Sequence, residues 1–124
     1  LRNLKFFMKQ SSIDIDIVLD AEKVPEQISW STTDIPADKK KKAKAMILSF
    51  WDGEDKTALR IDLWTKDMMV DEMSDFFYQT FMTLSETYGR ATRQTELVND
   101  MKKFAKDFYD KSRELQLKDD KMKL

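Results

Sequence analysis

LRIDLWTKDMMVDEMSDFFYQTFMTL, residues 59–84, holds two periodicities back to back. Leu59, Ile61 and Leu63 alternate with Arg60, Asp62 and Trp64, which is the period of a strand with one face toward a core. From Met69 onward the apolar positions step by three and four: Met73, Phe76, Phe77, Phe81, Leu84 and Tyr88, with Thr80 on the same stripe. That spacing predicts an amphipathic helix over 70–88. Asp67 stands where an N-cap is expected, and Asp71 and Glu72 suit the positive end of the helix dipole. Gly89 follows the last turn, where a left-handed C-cap is expected.

The chain before this switch is strand-like throughout. Residues 52–56, Asp-Gly-Glu-Asp-Lys, form a hairpin turn in which Gly53 is expected to take the positive φ. Residues 43–51 precede it as a strand apolar on both sides, with Met46, Leu48 and Phe50 on one and Ala45, Ile47 and Trp51 on the other. Such a strand is central in a sheet or covered on its second face. Residues 32–42, with Pro36 and four consecutive lysines at 39–42, are expected as a loop, because adjacent like charges prefer water. Residues 27–31 carry Ile28 and Trp30 on one strand face, and residues 21–25 form a turn. Ile13, Ile15, Ile17 and Leu19 alternate with Asp14, Asp16 and Asp20, a half-buried first strand. On the other side of the switch, Leu97, Met101, Phe104, Ala105, Phe108, Ser112 and Leu115 mark a second helix over 95–117 with a charged outer face.

Strands followed by helices define an α+β fold, here a four-stranded antiparallel meander with two C-terminal helices. The Phe-rich face of the first helix is expected to cover one side of the sheet. Residues 1–11 are expected to be a flexible N-terminal extension, 12–117 a single domain and 118–124 a polar tail. The chain's 124 residues suffice for one core without disulfides or metals.

Composition removes whole classes of chemistry. There is no cysteine and no histidine. Disulfides, thiolate metal sites, Ser-His-Asp and Cys-His catalysis and the ordinary zinc, copper and haem sites therefore cannot be assembled. Two glycines are too few for a phosphate-cradling loop. With 22 basic and 23 acidic residues, the net charge of −1 provides no field for nucleic acid or an anionic membrane. No apolar run reaches the length of a membrane span, and residues 1–10 lack the features of a secretory signal. The expectation is a cytoplasmic protein that is not an enzyme, holds no cofactor or metal and does not insert in a membrane.

Four features remain as candidates. Asp14, Asp16 and Asp20 could hold a hard cation, or simply form a solvated strand face. Asp62, Asp67, Asp71 and Glu72 could supply paired carboxylates, or charged strand and helix-end positions. The lysine run could meet phosphate, but no aromatic is interleaved with it. Among the three tryptophans, Trp64 points away from Leu59, Ile61 and Leu63, and it shares its face with Arg60 and Asp62. Trp and Arg are enriched at interface hot spots. Trp64, Arg60, Asp62 and Trp51 are therefore the candidate partner surface, with Phe50 in place of Trp51 if the neighbouring strand pairs one residue out of step. Intramolecular packing and self-association into a homo-oligomer are the alternatives for the same residues.

Several blocks resemble one family. Val24-Pro25-Glu26-Gln27-Ile28-Ser29-Trp30 looks like a Val-Pro-Glu-x-Ile-x-Trp signature, and Ser49-Phe50-Trp51-Asp52 like a Ser-x-Trp-Asp turn. The most specific block runs from Leu59 to Met68 and continues through Val70-Asp71-Glu72-Met73 to Thr80. Together they resemble the gliding-motility protein C (GldC) family of gliding Bacteroidetes, from about residue 12 to 115, with departures at Met69 and at Lys39 to Lys42. The resemblance implies a cytoplasmic accessory protein of gliding motility, with other motility proteins as partners and no catalytic residues to carry over. The order of elements also looks like that of the export chaperone SecB, which implies a holdase for unfolded export clients as the alternative.

Overall fold

The computed structural model describes residues 8–119, so the expected N-terminal extension over 1–11 and polar tail over 118–124 lie largely outside the described residues, while 118 and 119 belong to the last helix. The chain divides into two compact units at Met68 and Met69, with the strands in the first and the helices in the second. The class is α+β, with antiparallel sheets and two C-terminal helices.

In the first unit, β1 (Ile13–Leu19), β2 (Pro25–Thr32) and β3 (Lys41–Ala43) form an antiparallel sheet in the order β1-β2-β3. β4 (Ala45–Asp52) and β5 (Thr57–Trp64) form a separate antiparallel pair. The expected four-stranded meander is therefore corrected to sheets of three and two strands among the described residues. The segment expected as one strand over 43–51 is divided between two partners. Ala43 pairs with Ile28 of β2, whereas Ala45 pairs with Trp64 of β5. Between them, the Lys44 carbonyl accepts the Thr65 N–H at 2.7 Å.

Ile28 holds the three-stranded sheet together. It sits on the central strand, opposite Ile17 on one side and Ala43 on the other, and is almost fully buried. Ile13, Ile15 and Ile17 share its face, while Asp14 and Asp16 lie opposite Ser31 and Ser29 on the other. Part of the expected lysine loop is strand: Lys41 and Lys42 belong to β3. An edge strand tolerates lysine, and Lys41 gains a cation–π contact, its Nζ lying 5.5 Å from the Trp30 ring centre.

The turns are built by aspartates. Asp20 Oδ1 accepts the N–H groups of Glu22 at 2.8 Å and Val24 at 2.9 Å, and Lys23 takes the left-handed conformation with φ 64°. Pro25, expected in the turn, is the first residue of β2, a position where its missing donor costs little. In the β4–β5 turn, Asp52 Oδ1 accepts from Glu54 at 2.9 Å and Asp55 at 3.2 Å. The left-handed residue there is Lys56, with φ 54°, and not Gly53. The Asp52 carboxylate organises the start of the turn, and the positive φ falls on the residue that enters β5.

The second unit is an antiparallel helical hairpin of α1 (Val70–Thr92) and α2 (Thr95–Asp119). Two expectations for α1 are corrected. Its N-cap is Met69, whose N–H is accepted by the Glu72 carboxylate at 3.2 Å; Asp67 bonds to the Thr65 hydroxyl instead. Its C-cap is Arg93, left-handed at φ 58°, whose N–H reaches the Gly89 carbonyl at 2.9 Å. Gly89 thus lies inside the helix, where Val98 of α2 packs against it.

The hairpin is closed by an aromatic ladder. Phe81 meets Phe104 and Phe108 edge-on with ring centres 5.4 and 5.2 Å apart. Tyr78 lies 4.8 Å from Tyr109, and Arg113 covers Tyr109 while pairing with Asp75 at 2.9 Å. Ser85 and Ala105, both fully buried, let the helices approach. The inner line of α2 is rotated from the expected one. Ala105 is buried as anticipated, but Leu97, Phe104 and Leu115 are about half exposed, with Val98 and Tyr109 turned further inward.

Candidate partner surface

The β4–β5 register assigns every side chain of this ribbon to a face. Directly opposed pairs are Ala45 with Trp64, Ile47 with Asp62, Ser49 with Arg60 and Trp51 with Ala58. Opposed residues of an antiparallel pair point the same way. Trp64, Arg60 and Asp62 therefore share one face, as expected from alternation, and the register adds Trp51 to it. Phe50 pairs with Leu59 and belongs to the other.

Both tryptophans of this ribbon lie opposite an alanine. A methyl group cannot cover an indole, and Trp64 and Trp51 are 55% and 69% exposed. Six ladder positions, about 20 Å at ~3.3 Å per residue, separate them. Between them Arg60 Nε pairs with Asp62 Oδ2 at 3.0 Å along the strand, with Ile47 alongside. The pair is solvated and adds little stability. It holds a planar guanidinium between the two exposed indoles.

The opposite face carries Met46, Leu48, Phe50, Leu59, Ile61 and Leu63. Leu59, Ile61 and Leu63 were expected to line the core. Leu63 is half-buried, but Leu59 and Ile61 are more than half exposed. A two-stranded ribbon covers neither of its faces unaided.

Residues just beyond Trp64 fix where β5 ends. Thr65 is almost fully buried, and its hydroxyl lies 3.2 Å from the Lys44 carbonyl and within reach of the Asp67 carboxylate. That hydroxyl, with help from the Lys44 charge, holds the Asp67 carboxyl below the ordinary carboxylate range. Lys66 follows. Its N–H reaches the Pro25 carbonyl at 3.2 Å, and its Nζ lies 3.0 Å from Glu26 and 3.1 Å from Asp20. Hydrogen bonds to Glu26 and then Asp20 raise the Lys66 pKa. The Val24 N–H, then Lys66, lower that of Asp20. These contacts tie β5 to the β1–β2 turn, and nothing in local periodicity marks them.

The other sequence candidates are dispersed. Asp16 pairs with Lys40 at 2.6 Å, and Asp20 is occupied by its turn and Lys66. Asp62 is held by Arg60, and Asp71 accepts the Glu72 N–H at 2.9 Å. Among the described residues, no group of three or more carboxylates is placed to hold a metal ion, and no helix is long and apolar enough to cross a membrane.

Residues 25–114 match the family described as Gliding motility-associated protein GldC-like. No curated protein and no solved structure matches the chain. The matched span contains β2 to β5, α1 and most of α2, and with them all four residues of the exposed tryptophan face. The chain belongs to the GldC-like family of gliding motility-associated proteins.

Proposed function

We propose that this chain is a cytoplasmic, non-enzymatic accessory protein of bacterial gliding motility. It acts by binding other motility proteins through the face that carries Trp64, Arg60, Asp62 and Trp51. The observation that carries this reading is the pair of tryptophans, each more than half exposed on one face with an arginine between them. Large rigid aromatics with a planar guanidinium are the usual anchors of protein contacts. The family membership supplies the process. The test is affinity purification of the tagged chain from gliding cells. Motility proteins that accompany the native chain should be lost with Trp51→Ala and Trp64→Ala. Their retention by both variants would contradict the assignment of this face.

A second reading, a SecB-like holdase for unfolded export clients, draws support from the other face of the same ribbon. Phe50, Leu59 and Ile61 are each more than half exposed there, and monomers rarely leave large apolar patches bare. That reading predicts suppression of aggregation of a reduced, unfolded model client at equimolar chain, abolished by Leu59→Asp and Ile61→Asp. The accessory-protein reading predicts no suppression.

A further inference from the structure

The helical hairpin carries an apolar face that its own two helices do not cover. On α1, Val70, Phe77 and Leu84 recur every seven residues, followed by Tyr88; on α2, Leu97, Phe104 and Leu115 occupy one stripe. All seven side chains are exposed, with Leu84 at 51%, Leu97 at 47% and Phe104 at 58%. The two stripes adjoin, because Phe81, whose ring meets Phe77, also meets Phe104 and Phe108 across the hairpin.

We infer that this face binds the same face of a second copy, making a symmetric four-helix dimer. The seven-residue recurrence on α1 is the spacing of a helix–helix seam, which suits a helical occupant. The seven side chains expose on the order of 600 Å² of largely apolar surface per copy, from ~200 Å² for each aromatic and somewhat less for each aliphatic. Two copies thus bury up to about 1,200 Å², the lower end of the range for a stable interface. A two-fold contact presents one patch to itself. The α1 stripe is uncharged, while Asp100 and Lys111, of opposite sign, stand along the α2 stripe among Leu97, Phe104 and Leu115, with Asp107 at its edge. The patch calls for no oppositely charged foreign partner, and a net charge of −1 per chain opposes pairing of copies only weakly. This inference does not depend on the tryptophan face.

Sedimentation equilibrium of the full chain tests it. The native chain should weigh twice its 14.7 kDa at tens of micromolar. Leu84→Glu and Leu97→Glu should each weaken self-association at least tenfold with unchanged far-ultraviolet circular dichroism. A chain that stays monomeric at 100 µM, or a dimer that neither substitution weakens, overturns the inference. If a charged variant fails to fold, the absence of cysteine gives a second route. Under mild oxidation, at least one of the single variants Leu84→Cys, Leu97→Cys and Phe104→Cys should form disulfide-linked dimers, while Gln79→Cys on the polar side should not. Equal cross-linking at Gln79→Cys, or none at the three seam positions, also overturns it.

Discussion

Val98 Cγ2 lies 3.1 Å from where a β-carbon on Gly89 would stand. The glycine is therefore a close-approach residue between the two helices, and its value is the absence of a side chain. Alanine there would raise helix propensity by up to about 1 kcal/mol, but it would overpack against a branched side chain at a cost of about 1–3 kcal/mol. A β-branched side chain on a helix has little χ1 freedom with which to yield, so the second effect wins. Gly89→Ala should lower stability by about 1 kcal/mol in urea unfolding. Val98→Ala placed on top of it should recover part of that loss, a coupling visible in a double-mutant cycle.

Phe81 and Phe77 are one turn apart but should respond very differently to truncation. Phe81 contacts Phe77, Phe104 and Phe108 edge-on and is half-buried, whereas Phe77 stands exposed at the rim. Phe81→Ala should cost about 3 kcal/mol through lost burial and an unfilled cavity. Phe77→Ala should cost the monomer about 1 kcal/mol. Denaturant midpoints compared at constant slope would show the order, and equal losses would mean that Phe77 is packed as deeply as Phe81.

The Asp20–Lys66 link should appear in the acid limb of stability. The Asp20 carboxyl is held below its ordinary 3.8 by the Val24 N–H and Lys66. Its contribution is therefore present above pH 3.8 and is lost as pH falls through the lower, folded value. Lys66 works in the opposite direction, since its pKa is raised above 10.5. Its contribution is present below pH 10.5 and is lost as pH rises through the folded value. Thermal melts between pH 6 and pH 2 should show a shallower decline for Asp20→Asn than for the native chain. Identical slopes would show that the link is absent in solution.

Much of this architecture is legible in residues 59–84, where the period changes from two to three and four. The alternation also places Trp64, Arg60 and Asp62 on one face without further information. What alternation cannot supply is pairing. Whether Trp51 or Phe50 joins that face depends on register, which the contact of Trp51 with Ala58 settles. Nor does the apolar pattern of residues 43–51 show that pairing partners change at Lys44. The glycines misled for a different reason. Glycine is the default for positive φ, yet Lys23, Lys56 and Arg93 adopt it here. Asp20 and Asp52 side chains hold the first two turns by hydrogen bonds, and Gly89 is needed for packing. The Lys66–Asp20 contact joins residues 46 positions apart and has no local signature.

The central claim is that Trp64 serves association and not folding, and it is tested most directly by measuring both on one variant. Trp64→Ala should leave the melting temperature within about 2 °C, under roughly 1 kcal/mol for a chain of this size. Affinity for the motility protein captured by the native chain should fall at least tenfold in a titration of purified components, about 1.4 kcal/mol. A Trp64→Ala chain that melts 8 °C lower yet binds that protein with native affinity would show that the indole is a packing residue and that the partner surface lies elsewhere.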